Sequence, residues 1–458
     1  MRHDHVAIIG GGFSGTLLAV NLLRHDGPRA TLIERRPHTA RGVAYAAARG
    51  VAYAAAHPDH LLNVRADNMS ALPDDPGHFA RWLEATHGGR IRGFAPRLVY
   101  GDYLDALLAE TVARSGGRLR VVQAEAVDVD PRADGMHVAL ATGERIAADS
   151  VVLAPGNLPP HTPAGIDPAA LPEGSYAADP WSADIAADLA PDDVVLVLGT
   201  GLTMIDIALL LDARGFEGRI VALSRRGLLP RPHADGVPKT QRPERPEPTA
   251  VGLLRAMRAR TQEIEWRAAV DELRPYTQSI WRAMALPEQR RFLRHLRAWW
   301  DVHRHRLAPS VWGRIEAMRE AGRLDVGAAK LIDAQPDGDH VRIRYRPRHG
   351  ASIETLRVRR IVNGTGPQGD LTATQEPLLR ALTDRGLLRA DPLHIGIDVD
   401  QDSQTIGRDG TASDRLLAVG PMTRGAFWEI VAVPDIRRQA WSVARRLSNA
   451  QWVGGEGL

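Results

Sequence analysis

The stretch HVAIIGGGFSGTLLAVNLL, residues 5–23, decides the fold. Val6 to Ile9 is an apolar run of strand length, and Leu17, Leu18, Val20, Leu22 and Leu23 give the following segment the apolar face of a helix. Between them stands Gly10-x-Gly12-x-x-Gly15, with Ser14 inside the motif. The three glycines serve separate mechanical ends, which are a tight turn, backbone approach to a pyrophosphate, and close crossing of helix over strand. The helix start then presents the positive end of its dipole to phosphate. Downstream, ATLIERR reads as a second strand ending at Glu34, with Arg35 beside it. A carboxylate there accepts hydrogen bonds from the hydroxyls of an adenosine ribose and repels a 2'-phosphate. Strand, turn, helix, strand and acid in this order predict an α/β dinucleotide-binding unit.

The pattern returns at DVVLVLGTGLTMIDIALLL, with a strand over Val194 to Leu198, then Gly199, Gly201 and Thr203, then a helix. Met204 stands where the third glycine belongs, so its side chain is expected to push helix and strand apart. The next strand, RIVALSRRG, ends in Ser224, Arg225 and Arg226 where the first unit has its acid. Arginines there suit a 2'-phosphate, hence NADPH, which is favoured over the alternative that in an arginine-rich chain they are solvated surface. Two units of opposite polarity imply two cofactors with different roles.

Bulk composition narrows the chemistry. The 458 residues correspond to about three folding units at roughly 150 residues each. The absence of cysteine excludes disulfides, thiolate metal sites and a redox dithiol, so redox chemistry has to come from a bound cofactor. Of 58 basic residues only Lys239 and Lys330 are lysines, a compositional bias, and the net charge is just +3. With no stacking-aromatic motif beside the charge, nucleic acid is not an expected partner. The polar start MRHDHVAIIGGG runs directly into the glycine turn, and no apolar run is long enough to span a bilayer; neither a membrane nor export is expected, and the cytoplasm is the expected location.

After the second unit, PRPHADGVPKTQRPERPEP reads as an exposed loop or linker. From about 250 to 319 the periodicity is helical and holds five of the ten tryptophans. Phe292, Leu296, Trp299 or Trp300 and His303 fall on one face of a helix, with Arg290, Arg294, Arg297 and Arg304 on the other. His303 and His305 are two apart and point to different sides of a helix, with no carboxylate placed to complete a set, so no metal site is expected. His303, Arg304 and His305 are candidates for an anionic group of substrate or of NADPH, and they equally suit a solvated basic face.

The order of motifs resembles the two-dinucleotide-domain flavoproteins, in particular the bacterial FAD/NAD(P)-binding proteins related to the flavin-dependent N-monooxygenases. The likeness is carried by HLLNVRADNMS with HFARWL, YGDYLDALL, VVLAPGNLPP, GTGLTMIDIALLL, SRRGLLP, RFLRHLRAWWDVHRHRLAP, VNGTGP and AVGPMTRGAFWEIVAVPDIR. It implies FAD on the first unit and NADPH on an inserted second one. The expected division is 1–160 and 387–458 for the FAD domain, 161–249 and 323–386 for the NADP domain, and 250–322 for a helical insertion. The resemblance further implies that backbone near Val127 meets the adenine, and that Gly156 and Gly420 let the chain pass close to the flavin. Asn63, Met69 and Tyr53 become flavin-pocket candidates. Asp435 is expected in the first turn of a C-terminal helix whose dipole faces the isoalloxazine. Pro155 and Pro421 depart from the commoner threonine and aspartate. The implied activity is NADPH-driven flavin monooxygenation of a small amine or amino acid, an acidic one suiting the basic insertion, with dioxygen as co-substrate. A reductase without oxygen transfer and a flavin-binding sensor with little turnover are the alternatives.

One octapeptide, RGVAYAAA, occurs twice in tandem at 41–48 and 49–56. Eight residues are far below a solenoid unit. Counting forward from Glu34 the first copy falls where the resembled proteins have one such segment; counting back from His60 the second does, which marks an eight-residue duplication beside the cofactor. Deleting either copy is expected to leave flavin binding intact; loss of FAD from purified protein lacking 49–56 refutes this.

Overall fold

The computed structural model describes residues 3–24, 27–36, 57–88, 93–181, 184–242 and 244–448. Tyr53 and both copies of RGVAYAAA lie outside the described residues.

β1 (His5–Ile9), α1 (Phe13–Arg24) and β2 (Arg29–Glu34) form the first βαβ unit, with β1 and β2 parallel. After α2 (His78–His87) and α3 (Arg97–Arg114), β3 (Leu119–Gln123) extends the same sheet, and β4 (Ala126–Arg132), β5 (Gly135–Leu140) and β6 (Arg145–Ala148) make a separate antiparallel sheet. The chain re-enters the first sheet through β7 (Ser150–Leu153), parallel to β1.

The second sheet draws on β8 (Tyr176–Ala177), β9 (Val194–Leu198), β10 (Arg219–Ser224), β11 (Leu324–Asp337), β12 (His340–Pro347), β13 (Glu354–Val358) and β14 (Arg360–Asn363), with α4 (Leu202–Ala213) between β9 and β10. Inserted between β10 and β11 are α5 (Ala250–Arg260), α6 (Trp266–Asp271), α7 (Thr277–Ala283), α8 (Leu286–His295), α9 (Arg297–Arg304) and α10 (Pro309–Glu320). α11 (Pro377–Asp384), β15 (Gln404–Ile406), β16 (Ala412–Ala418) and α12 (Val433–Leu447) complete the chain, and β16 pairs parallel to β7 in the first sheet.

Strands buried on both faces need continuous apolar runs, which is why β1, β7 and β9 lack alternation. One face of the first sheet packs on α1, α3 and α12; the other packs on the small sheet together with Leu371, Leu379 and Leu382. Those three leucines put the return to the first half of the molecule ahead of residue 386, earlier than the motif boundaries suggest.

The insertion is not one long amphipathic helix over 291–305. It breaks at Leu296, because Arg226 donates to the carbonyls of Arg294 (3.0 Å) and His295 (3.2 Å) and closes the end of α8. The proline-rich segment is only partly free. Arg231 and His233 donate backbone hydrogen bonds to Val302 and Leu307, which docks its first turn on the insertion.

Candidate functional site

The two βαβ units are built alike. A Cβ on Gly10, whose φ is +107°, would lie 2.1 Å from the carbonyl oxygen of Ala154, just past β7. A Cβ on Gly199, φ +117°, would lie 2.2 Å from the carbonyl oxygen of Gly364, just past β14. Each first glycine thus lets the turn cross the next parallel strand's end at backbone contact. Gly15 makes the crossing that the motif demands, its missing Cβ 1.9 Å from the Gly10 carbonyl oxygen. Met204 takes that place in the second unit, yet it lies fully buried in the core with Val197, Ile205 and Leu307. It faces away from the cleft that its neighbours line.

Above the first turn opens a cavity of about 540 Å³. Gly10, Gly12, Ser14, Glu34, Arg35 and Gly156 line it. Glu34 is held over the turn by the amides of Gly11 (2.8 Å) and Arg36 (3.0 Å). Arg35 is drawn to Glu376 at 2.6 Å and is committed to that pair. Gly420 approaches Ser14 so closely that a Cβ would meet its hydroxyl at 2.4 Å, and its amide donates to Gln439. An anion-ready helix start, a turn stripped of side chains and a carboxylate at the end of β2 fit an adenine dinucleotide.

Several expected residues are elsewhere. Val127 sits in a β-bulge between Ala126 and Asp128, and it is Ala124, Glu125 and Ala126 that line the cavity. Met69 is a core residue, 2% exposed and in the same apolar cluster as Phe79 and Tyr103. Asn63 lines neither cavity and offers its carbonyl to His233 at 3.0 Å. Asp435 is in the first turn of α12 as expected, but its side chain turns to Arg274 at 3.5 Å, while Ile436 lines the cavity. Burial, opposed by Arg274, pushes the Asp435 carboxyl upward.

The second cleft, about 720 Å³, is lined by Gly199, Gly201, Thr203, Ser224, Arg225 and His305. Ser224 braces it, bonded to Thr200 (2.9 Å) and accepting from the amide of Gly227 (2.9 Å). Arg226 is absent from this wall because its guanidinium caps α8. His303 bonds the Trp299 carbonyl and packs edge-on against Trp266, away from the cleft. Arg304 is no solvated side chain: it is 11% exposed and paired with Glu429, 4% exposed, at 2.9 Å. Trp300 also donates to Glu429, at 2.7 Å, and Trp281 stacks on Trp428. Lys330, Arg297, Arg424 and Glu429 also line the cleft. A lone acid in FWEIV was the one available signal for Glu429.

The two cavities share a wall formed by Leu202, Thr203, Gly366 and Val431. Residues 7–158 match the family model described as FAD-NAD(P)-binding. This stretch is similar to FAD-NAD(P)-binding domains. No match to the chain is found by sequence among curated proteins. Among solved structures, the chain is similar to the reduced form of ornithine hydroxylase from Pseudomonas aeruginosa, at 14% identity and TM-score 0.66, covering 98% of this chain and 99% of that one. L-lysine 6-monooxygenase from Pseudomonas syringae is similar at 18% identity and TM-score 0.66, covering 98% and 100%. Thioredoxin reductase from T. acidophilum follows at 11% and 0.53, covering 98% of each chain. At such identities the likeness shows the fold alone, an α/β chain with two Rossmann-like units. No helix among the described residues is long and apolar enough to cross a membrane.

Proposed function

We propose that the chain is an FAD-dependent oxidoreductase reduced by NADPH, and that it uses dioxygen to hydroxylate a nitrogen of a small amine or amino acid. The observation that carries this reading is the shared wall: a nucleotide on each glycine turn would bring its reactive end toward Leu202, Thr203, Gly366 and Val431. The fold shared with ornithine and lysine hydroxylating enzymes supports the nitrogen as the target. FAD, when bound, supplies hydride acceptance and oxygen activation. The chain's own part is positional. Glu34 stands where ribose hydroxyls would donate to it, the turns at Gly10–Gly12 and Gly199–Gly201 leave room for pyrophosphates, and Ser224 and Arg225 stand at a 2'-phosphate. The insertion contributes Asp301, Val302 and His305 to the wall of the second cleft.

Anaerobic mixing of the FAD-loaded protein with NADPH should bleach the flavin, and no bleaching refutes the reading. Reoxygenation with a panel of amines and amino acids should then give a product heavier by one oxygen in the mass spectrum. The thioredoxin reductase fold favours a second reading, reduction without oxygen transfer, which predicts peroxide and no oxygenated amine. Without cysteine such an enzyme has no dithiol relay.

Arg225 and Arg226 separate cofactor choice from architecture. A charge-assisted bond to phosphate contributes about 1.5–3 kcal/mol, or roughly 10–100-fold in affinity. Arg225→Ala should therefore raise KM for NADPH at least about tenfold and leave KM for NADH unchanged. Arg226→Ala should lower the melting temperature while keeping the NADPH/NADH ratio, because it caps α8. Stopped-flow flavin reduction with both nucleotides checks this; equal loss of preference in both variants contradicts it.

A further inference from the structure

Arg424 is a partly buried cation of the second cleft with no ion pair among the described residues. Arg424 follows β16, in the half of the molecule opposite to the strand ends that carry Arg225 and Lys330. Its Nε donates to the Ile395 carbonyl at 2.7 Å, which fixes the plane of the guanidinium. The terminal nitrogens have no hydrogen-bond or ion-pair partner among the described residues, and they face a cavity wall. Gly369 makes room for them, since a Cβ there would lie 2.6 Å from one of them. Burial pushes this arginine down to about 10, so it stays a cation at neutral pH while losing much of its hydration. Asp391 and Asp301 act on it only from beyond ion-pair distance, and a partly buried, oriented fork whose terminal nitrogens make no ion pair among the described residues is what a planar anion binds best.

We infer that Arg424 is the recognition residue for a carboxylate of the substrate, which makes the substrate a carboxylate-bearing amine and not a simple amine. The inference rests on the proposed reading of this cleft as the place where NADPH and substrate meet. The phosphates of NADPH are already accounted for by the Gly199–Gly201 turn and by Ser224 with Arg225. Arg297, Asp301, Trp428 and Glu429 line the same cleft, and Arg297 adds a second positive charge toward Arg424. Glu429 is committed to Arg304 and Trp300, so Asp301 is the acid that suits the ammonium of the molecule whose carboxylate the arginine holds. Asp301 is held by Arg297 at 3.4 Å and faces His305 at 4.0 Å, both at the long end of ion-pair distance.

The test uses the FAD-loaded full chain and calorimetric titration with succinate, with succinamide as its uncharged isostere, and with NADP+. Wild type should bind succinate at least about tenfold more tightly than succinamide, the range of one charge-assisted bond. Arg424→Gln should lower succinate affinity roughly 10–100-fold and leave NADP+ affinity within about threefold. Arg424→Lys, which keeps a point charge without the fork, should fall between, and both variants should show the wild-type circular dichroism spectrum. Equal binding of succinate and succinamide by wild type overturns the assignment. So does a loss of NADP+ affinity as large as that of succinate, which would make Arg424 a cofactor contact. Failure of NADPH to bleach the flavin refutes the proposed oxidoreductase reading by a separate measurement, whatever succinate does.

Discussion

Gly10→Ala should give a folded but colourless protein, with FAD affinity lowered at least about a hundredfold. Two independent costs meet at this position. The φ of +107° is one that an L side chain rarely adopts, at about 1–2 kcal/mol. The added Cβ would stand 2.1 Å from the Ala154 carbonyl oxygen, a backbone atom that moves only if β7 moves with it. Relief requires the turn to lift off β7, which displaces Gly12 and the start of α1, the two features that face the phosphates. A displacement costing about 2.8 kcal/mol of binding corresponds to the hundredfold. Gly156→Ala is the control: its φ is +70°, but a Cβ there meets nothing within 4 Å. It should keep FAD with a loss below about tenfold. Flavin absorbance per protein after gel filtration, and titration of apoprotein with FAD, measure both. A yellow Gly10→Ala protein with unchanged affinity would mean that the turn does not carry the pyrophosphate.

Such positions were legible because their information is local. Gly10, Gly15, Glu34, Gly199 and Ser224 lie within two short βαβ stretches, where spacing along the chain sets spacing in space. β9 and β10 end at Leu198 and Ser224, where the periodicity and the charged residues end them. The misplacements share a different cause. Arg225 and Arg226 are neighbours with the same side chain, and only the arrival of α8 from far along the chain turns one into a cap. The break at Leu296 is invisible in the apolar pattern for the same reason. Met69 sits in a loop whose motif suggests a pocket, yet it is buried in the same apolar cluster as Phe79 and Tyr103. Lys330 and Arg424 reach the cleft from separate sheets, and one arginine among dozens carries no mark in the sequence of its burial.

The largest loss of stability is expected at Glu429. Its side chain is 4% exposed, paired with Arg304 at 2.9 Å and bonded by Trp300 at 2.7 Å, so it ties α9 to the segment between β16 and α12. Its backbone φ is +72°, strained for a residue with a side chain, and the ion pair holds it there. Breaking a buried pair by removing one partner costs about 3–5 kcal/mol, because the other charge stays buried without compensation. Glu429→Gln should therefore lower the first guanidinium unfolding midpoint markedly at pH 7. Val431, 44% exposed and part of the wall common to both cavities, lies two residues on, so the variant should also slow flavin reduction by NADPH. The pH dependence gives the sign. Burial alone would raise the Glu429 carboxyl, but Arg304, His305 and Trp300 outweigh it and hold it below its ordinary value. A folded-state value below the unfolded one stabilises above the unfolded pKa, about 4.3, and that contribution disappears as pH falls through the folded value. The gap between wild type and Glu429→Gln should thus be widest near pH 7 and shrink below pH ~4. Asp435, pushed upward by burial, has the opposite sign: Asp435→Asn should cost less, or stabilise, as pH rises through the folded value. A Glu429→Gln gap that stays constant from pH 7 down to about 3.5 would show that the pair with Arg304 is not formed in solution.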